Sequence, residues 1–244
     1  MGAVTIFLYG VIAYVVFLFS FLYAIGFLGN FLVPKSIDSG APVDLIPAVV
    51  VNLLLLGLFA VQHSVMARPA FKRWWTQYVP PAAERSTYVL LTSLILFLIY
   101  WLWQPLPGVI WSVENTIGVY ILWGLFALGW LIVLLSTFLI DHFDLFGLRQ
   151  VWLHLRGREY TPPEFCVHML YRYVRHPIML GFIIAFWATP HMSTGHLLFA
   201  VTTTAYILIG VALEERDLIR AHGANYLEYR KKVPMIIPAL RRRQ

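Results

Sequence analysis

The chain has 244 residues, of which 60% are hydrophobic and only 12% charged, with a mean hydropathy of +0.74 and a formal net charge of +6. A soluble globule of this size has no interior large enough for that much apolar surface, so the composition excludes one. The single cysteine, Cys166, excludes an internal disulfide. No G-x-G-x-x-G or G-x-x-x-x-G-K-[ST] run is present to mark a Rossmann or Walker phosphate site.

Five stretches contain no Asp, Glu, Lys or Arg: 1–34, 45–67, 86–113, 115–140 and 176–213. Each exceeds the roughly 18–20 apolar residues that carry a helix across a bilayer. The last is too long for one ordinary span, and Pro190 and Gly195 interrupt it, so it reads as a helical hairpin. Six crossings are expected, near 5–32, 45–66, 87–104, 116–140, 178–192 and 196–214, the fifth short enough to be partly re-entrant. The first run lacks a basic leader and is longer than a signal-peptide core, so it is expected to persist as a helix. The expected fold is all-α: a polytopic integral membrane helical bundle of five to six transmembrane helices with a C-terminal helical hairpin, in one domain spanning 1–244.

Basic residues follow the same segmentation. The loops at 33–44, 105–115 and 190–195 hold only Lys35, whereas every other Lys and Arg falls in 67–86, 141–177 or the tail from Arg216 onward. Because Lys and Arg stay cytoplasmic, both termini are expected on the cytoplasmic side. The positive balance is then a matter of topology and needs no nucleic acid.

Ionisable residues near helix ends are costly in a bilayer unless paired or solvated. His63, near the end of the second span, reads either as a site residue or as an ordinary interhelical hydrogen bonder. After the fourth span comes Asp141-His142-Phe143-Asp144, with Arg149 and Gln150 beyond. A carboxylate beside an imidazole raises its basicity and fixes its tautomer, so Asp141, His142 and Asp144 are candidates for proton transfer; capping of the fourth helix is the alternative.

Tyr171-Arg172-Tyr173-Val174-Arg175-His176-Pro177 precedes the fifth span. Pro177 suits a first helical turn, whose free amides attract an anion while Arg175 adds charge. Gly181, one turn on, permits close approach of a ligand or a neighbouring helix. Topology anchoring by Arg172 and Arg175 is the competing reading. Glu214-Glu215-Arg216-Asp217 is expected to end the sixth span, its carboxylates serving as an amine receptor or bridging to nearby arginines. These three polar segments are expected to converge. An interfacial helix is expected from Leu218, with Tyr226 and Tyr229 on one face. No two histidines stand at i,i+3 or i,i+4, so no metal site is indicated.

Arg175-His176-Pro177-Ile178-Met179-Leu180-Gly181, then Glu214-Glu215, Tyr226-x-x-Tyr229 and Val233-Pro234-x-x-x-Pro238, resembles the C-terminal half of the isoprenylcysteine carboxyl methyltransferase and phospholipid methyltransferase superfamily. Gln62-His63-Ser64, Glu84-Arg85-Ser86-Thr87-Tyr88, the 141–150 run and Phe186-Trp187-Ala188-Thr189-Pro190 narrow the resemblance to the bacterial methanethiol S-methyltransferases, relatives of the NnrU proteins. One departure stands out: Met179 occupies a position where the superfamily often has Tyr.

The resemblance implies a membrane enzyme of the bacterial inner membrane, with its active site on the cytoplasmic side. S-adenosylmethionine would be held by the half from about 141 to 240, through Arg175, His176, Pro177, Gly181, Glu214, Glu215, Tyr226 and Tyr229. A small thiol is the implied substrate, methanethiol with hydrogen sulfide as a further one; the alternatives are a membrane methyltransferase acting on a prenylcysteine carboxylate or a lipid amine, and a non-enzymatic NnrU-like membrane protein. In-line attack by its sulfur needs no covalent intermediate, so Cys166 is not required. A thiol reacts mainly as its thiolate. His142, oriented by Asp141 or Asp144, is the expected proton acceptor, with His176 and Tyr226 as alternatives; His63, Arg149 and Tyr173 are expected to touch the substrate or to support the residues that do.

Overall fold

The computed structural model describes residues 2–41, 43–162 and 169–238. Cys166 and Arg241 to Arg243 lie outside the described residues. The chain divides into two compact units, residues 1–110 with 141–162 and 193–198, and residues 111–140 with 163–192 and 199–244.

Three long apolar helices dominate the first unit: α1 (Ala3–Gly29), α2 (Leu45–Ala67) and α4 (Pro81–Leu102), with the short α3 (Pro69–Trp75) between the last two. Helix α1 stops where Asn30 turns left-handed at φ 57°, a conformation that Asn tolerates better than most residues. Helices α1 and α4 meet through aromatic rings and hydroxyls. Tyr23 stacks on Tyr100 at 4.9 Å, and the Tyr9 hydroxyl donates to Thr87 Oγ1 at 2.9 Å. Such polar contacts between spans contribute about 0.6 kcal/mol each on average, so ring packing supplies much of the attraction. Asn52 of α2 is fully buried and holds both backbone groups of Gln104, accepting from its amide at 2.9 Å and donating to its carbonyl at 2.8 Å.

Beyond the spans this unit carries α6 (His142–Leu145) and α7 (Leu148–Leu155). Val151 of α7 packs against α1 where Gly10 lacks a side chain; a Cβ there would lie 2.6 Å from Val151. Between α6 and α7, Gly147 adopts φ +89° against the Ser86 backbone.

In the second unit α5 (Thr116–Ile140) lies against α8 (Pro177–Trp187). Their closest approach pairs two glycines: a Cβ on Gly181 would meet the Gly129 carbonyl at 2.7 Å, and one on Gly129 the Gly181 carbonyl at 2.7 Å. Small residues let bilayer helices come this close, since dispersion forces drive their association. Trp130 closes the seam edge-on to Phe182 at 5.9 Å and Phe186 at 6.2 Å. The chain then forms α9 (Thr194–His222) and α10 (Ala224–Lys232); two short strands, β1 (Val109–Ser112) and β2 (His191–Ser193), precede α5 and α9.

Among the described residues five helices are long and apolar enough to span a bilayer: α1, α2, α4, α5 and α9. With 11 residues, α8 rises only about 16 Å, half of the roughly 30 Å hydrocarbon core. The helical bundle expected from composition is therefore what forms. Two boundaries differ by six residues or more. Helix α4 starts at Pro81, six residues before the expected span, because proline suits a first helical turn and Glu84 sits well beside the helix N-terminus. Helix α9 runs on to His222, so Glu214 and Glu215 lie within it, and Leu218 belongs to α9 rather than starting a new helix. The break comes at Gly223, which adopts φ +54°.

Candidate functional site

The second unit brings together the Arg175-His176-Pro177 corner, the Glu214-Glu215 pair and the α10 tyrosines. Glu215 is buried, with its side chain 7% exposed, and four groups converge on it. Arg175 donates through both Nη2 at 2.6 Å and Nε at 2.7 Å to a single carboxylate oxygen, Oε1, in charge-assisted bonds. His176 Nε2 lies 3.3 Å away, Arg230 Nε 3.4 Å from the other carboxylate oxygen, and the Tyr226 hydroxyl donates at 3.4 Å. A carboxylate buried alone would be strongly disfavoured, and this shell of donors keeps it charged.

Arg175 is held in turn by the backbone. Its Nη1 donates to the carbonyls of Arg230, at 3.1 Å, and Val233. Its amide donates to the Pro234 carbonyl at 2.9 Å, and the His176 amide to that of Met235 at 3.1 Å. Val174, Val233 and Ile236 are buried beside these bonds. The proline-bounded tail thereby pins the corner that precedes α8.

His176 caps α8 and stands between two carboxylates, with Nδ1 3.6 Å from Glu214 as well as Nε2 toward Glu215. Glu214, about half-exposed, is the acidic group of the pair that faces outward. Burial and the Glu215 charge push the Tyr226 phenol up to about 12, so it remains a donor at neutral pH. Burial likewise raises Tyr229 to about 12, and its hydroxyl donates to the Tyr171 carbonyl at 2.5 Å. Beside Glu215 lies a cavity of about 280 Å³ lined by Ala212, Glu215, Arg216, Ile219, Arg230 and Met235.

Of the expected ligand-facing residues in this unit, Gly181 meets helix α5, and Tyr173 is exposed beside the buried Val174. Sequence reasoning missed Arg230 and the carbonyls of residues 233–235. Arg230 looked like one more charge in an Arg-Lys-Lys run, and a carbonyl has no side-chain signature.

The first unit holds the other expected group. Asp141 caps α6, accepting from the Asp144 amide at 3.0 Å. Both carboxylates turn to Arg149, whose Nη1 lies 3.0 Å from Asp144 and whose Nε lies 3.9 Å from Asp141. Tyr160 also donates to Asp144, at 3.2 Å. The His142 ring is buried and pairs with the Tyr14 hydroxyl at 2.8 Å, edge-on among Tyr14, Phe143 and Phe146. Burial pulls its pKa below the ordinary histidine range, an effect that the Asp141 charge opposes. Tyr14 could not be found from sequence, since it sits in a featureless apolar run. His63 stacks on Phe59 at 5.2 Å and bonds the Tyr88 hydroxyl at 2.9 Å.

These features define a helical membrane protein with a buried cationic–carboxylate corner between a proline-started helix and its C-terminal tail. The NnrU protein family model matches residues 51–233, and the chain belongs to that family. Its relatives include methanethiol S-methyltransferase of Mycobacterium tuberculosis, 58% identical over 231 residues and 95% of each chain. Methanethiol S-methyltransferase 2 of Bradyrhizobium diazoefficiens is 57% identical over 96% of this chain and 90% of its own. The enzyme of that name from Crocosphaera subtropica is 53% identical over 95% and 91%. No solved structure gives a significant match. The resemblance read from the motifs is borne out.

Proposed function

We propose that this protein methylates methanethiol to dimethyl sulfide, with S-adenosylmethionine as the methyl donor held by the second unit. Relatives of that name aligned along nearly the whole chain support the reaction. The observation that carries the donor site is the Glu215 shell with its adjoining cavity.

The groups there suit the amino-acid end of such a donor. In this reading half-exposed Glu214, beside His176, receives the ammonium, and Arg216 and Arg230, which line the cavity, receive the carboxylate. Ile219, Ala212 and Met235 supply an apolar wall. Arg175, occupied by Glu215 and two carbonyls, acts as a positioning residue that holds the acidic group in place. Once bound, S-adenosylmethionine supplies a methyl group on a positively charged sulfur, open to in-line displacement by a thiolate.

Generating that thiolate requires a proton acceptor. His142 suits the task, because burial favours the neutral ring that can accept a proton near neutral pH. Tyr14 at Nε2 orients the imidazole, and Asp141 stabilises the cation that forms. Asp144 and Arg149 hold α6 in place around it. An active site on the cytoplasmic face follows from the asymmetry of Lys and Arg.

The test is dimethyl sulfide formation by purified protein supplied with methanethiol and S-adenosylmethionine, with hydrogen sulfide as a second substrate. Glu214→Gln should weaken donor binding by calorimetry at least tenfold while leaving the melting temperature in place. No turnover with methanethiol, or unaltered donor affinity in that variant, would sink the respective half of the reading.

A further inference from the structure

The first unit contains a larger cavity, about 830 Å³, that the proposed reaction does not use; its walls include Lys72, Glu84, Arg85, Gln150 and Arg158. Two of its cations are under-satisfied. Arg85 donates from Nε to the Leu145 carbonyl at 2.7 Å and lies over the Tyr88 ring at 5.1 Å. Among the described residues its terminal nitrogens have no hydrogen-bond partner, and neither does the Lys72 ammonium. Burial holds Lys72 below the usual lysine range, with Glu84 opposing that effect and Arg85 adding to it.

The charged wall residues balance, Lys72, Arg85 and Arg158 against Glu84, Glu159 and Asp144, but not pair by pair: Asp144 is taken by Arg149, which it shares with Asp141, while the ends of Lys72 and Arg85 are left without a hydrogen-bonded partner among the described residues. A ligand that completes these two ends is an anion.

Position in the chain names the source. Residues 68–80 connect the end of α2 to the start of α4, both of them spans, so Lys72 and Arg85 sit at the boundary between hydrocarbon and water. Trp74 and Tyr78, on the same segment, are 49% and 69% exposed, the amphipathic aromatics expected at headgroup depth. We infer that this cavity binds the headgroup of an anionic phospholipid, its phosphodiester between Lys72 and Arg85.

The test titrates full-length protein in detergent micelles with dioctanoyl phosphatidylglycerol, with zwitterionic dioctanoyl phosphatidylcholine and with inorganic phosphate. Native mass spectrometry reads the bound fraction, and thermal unfolding verifies each variant's fold. One phosphatidylglycerol should bind per chain, more tightly than phosphatidylcholine. Lys72→Gln and Arg85→Gln should each weaken phosphatidylglycerol about tenfold. Should Arg85→Gln fail to fold, Lys72→Gln still decides. Equal lipid binding by wild type and variants would overturn the inference, as would phosphate binding as tightly as lipid, or displacement of the lipid by S-adenosylmethionine.

Discussion

Two ion-pair clusters, one in each unit, use the same chemistry under different solvation. In the Arg175–Glu215 pair both side chains are 7% exposed, with Arg230 beside them at 49%; around Arg149 the guanidinium is 30% exposed, with Asp141 at 32% and Asp144 at 16%. Water can replace a lost partner in the second cluster but not in the Arg175–Glu215 pair. The difference teaches that the buried cluster has a structural role of its own, because its members must be present together.

Removing one partner is the strongest way to probe that contrast. Arg175→Ala strands a buried carboxylate and should cost about 3–5 kcal/mol, seen as a large fall in the thermal unfolding midpoint in detergent. Glu215→Gln, which keeps the shape and some hydrogen bonds, should cost less. A midpoint unmoved by Arg175→Ala would erase the distinction between the two clusters.

Packing near the buried cluster should rank next. Gly181→Leu forces a side chain into the Gly129 carbonyl, already 2.7 Å from where its first carbon would lie, at a cost of about 1–3 kcal/mol. Loss of the α5–α8 seam should appear as faster proteolysis of the second unit. Arg149→Met belongs at the small end, about 0.2–1 kcal/mol, with an effect that shrinks in high salt as expected for partly solvated pairs. A salt-independent loss as large as that of Arg175→Ala would show that the two clusters are equivalent.

The smallest effect sharpens the comparison through pH. His142 has a folded pKa below its unfolded value of roughly 6.5, so the fold favours the neutral ring. Its contribution is complete above that unfolded value and is lost as the pH falls below it, because the unfolded chain then binds the proton more readily. His142→Gln should flatten the decline in unfolding midpoint between about pH 7 and 5, and should also cut dimethyl sulfide formation across the range. An unchanged acid slope would remove His142 as its source.

Much of this architecture was legible in the residues alone. Uncharged runs locate bilayer helices because hydrocarbon rejects Asp, Glu, Lys and Arg, whatever the neighbours. Pro177 announces the start of α8 for an equally local reason, the missing amide hydrogen. Where α9 ends was less visible: Glu214 and Glu215 look like a span terminus, yet a helix continues happily into water, and Gly223 decides the stop.

Pairing lay beyond the sequence. Nothing near residue 175 indicates that Arg175 answers to Glu215, forty positions on, or that carbonyls of 230 and 233 complete its shell. Tyr14 as the partner of His142 was equally hidden, since the two are 128 residues apart. Polarity and helix-forming tendency are written residue by residue and so can be read in one dimension. Which charge neutralises which, and how dry each pair becomes, depends on distances that only the folded chain sets, through the packing of helices whose apolar surfaces look alike in sequence.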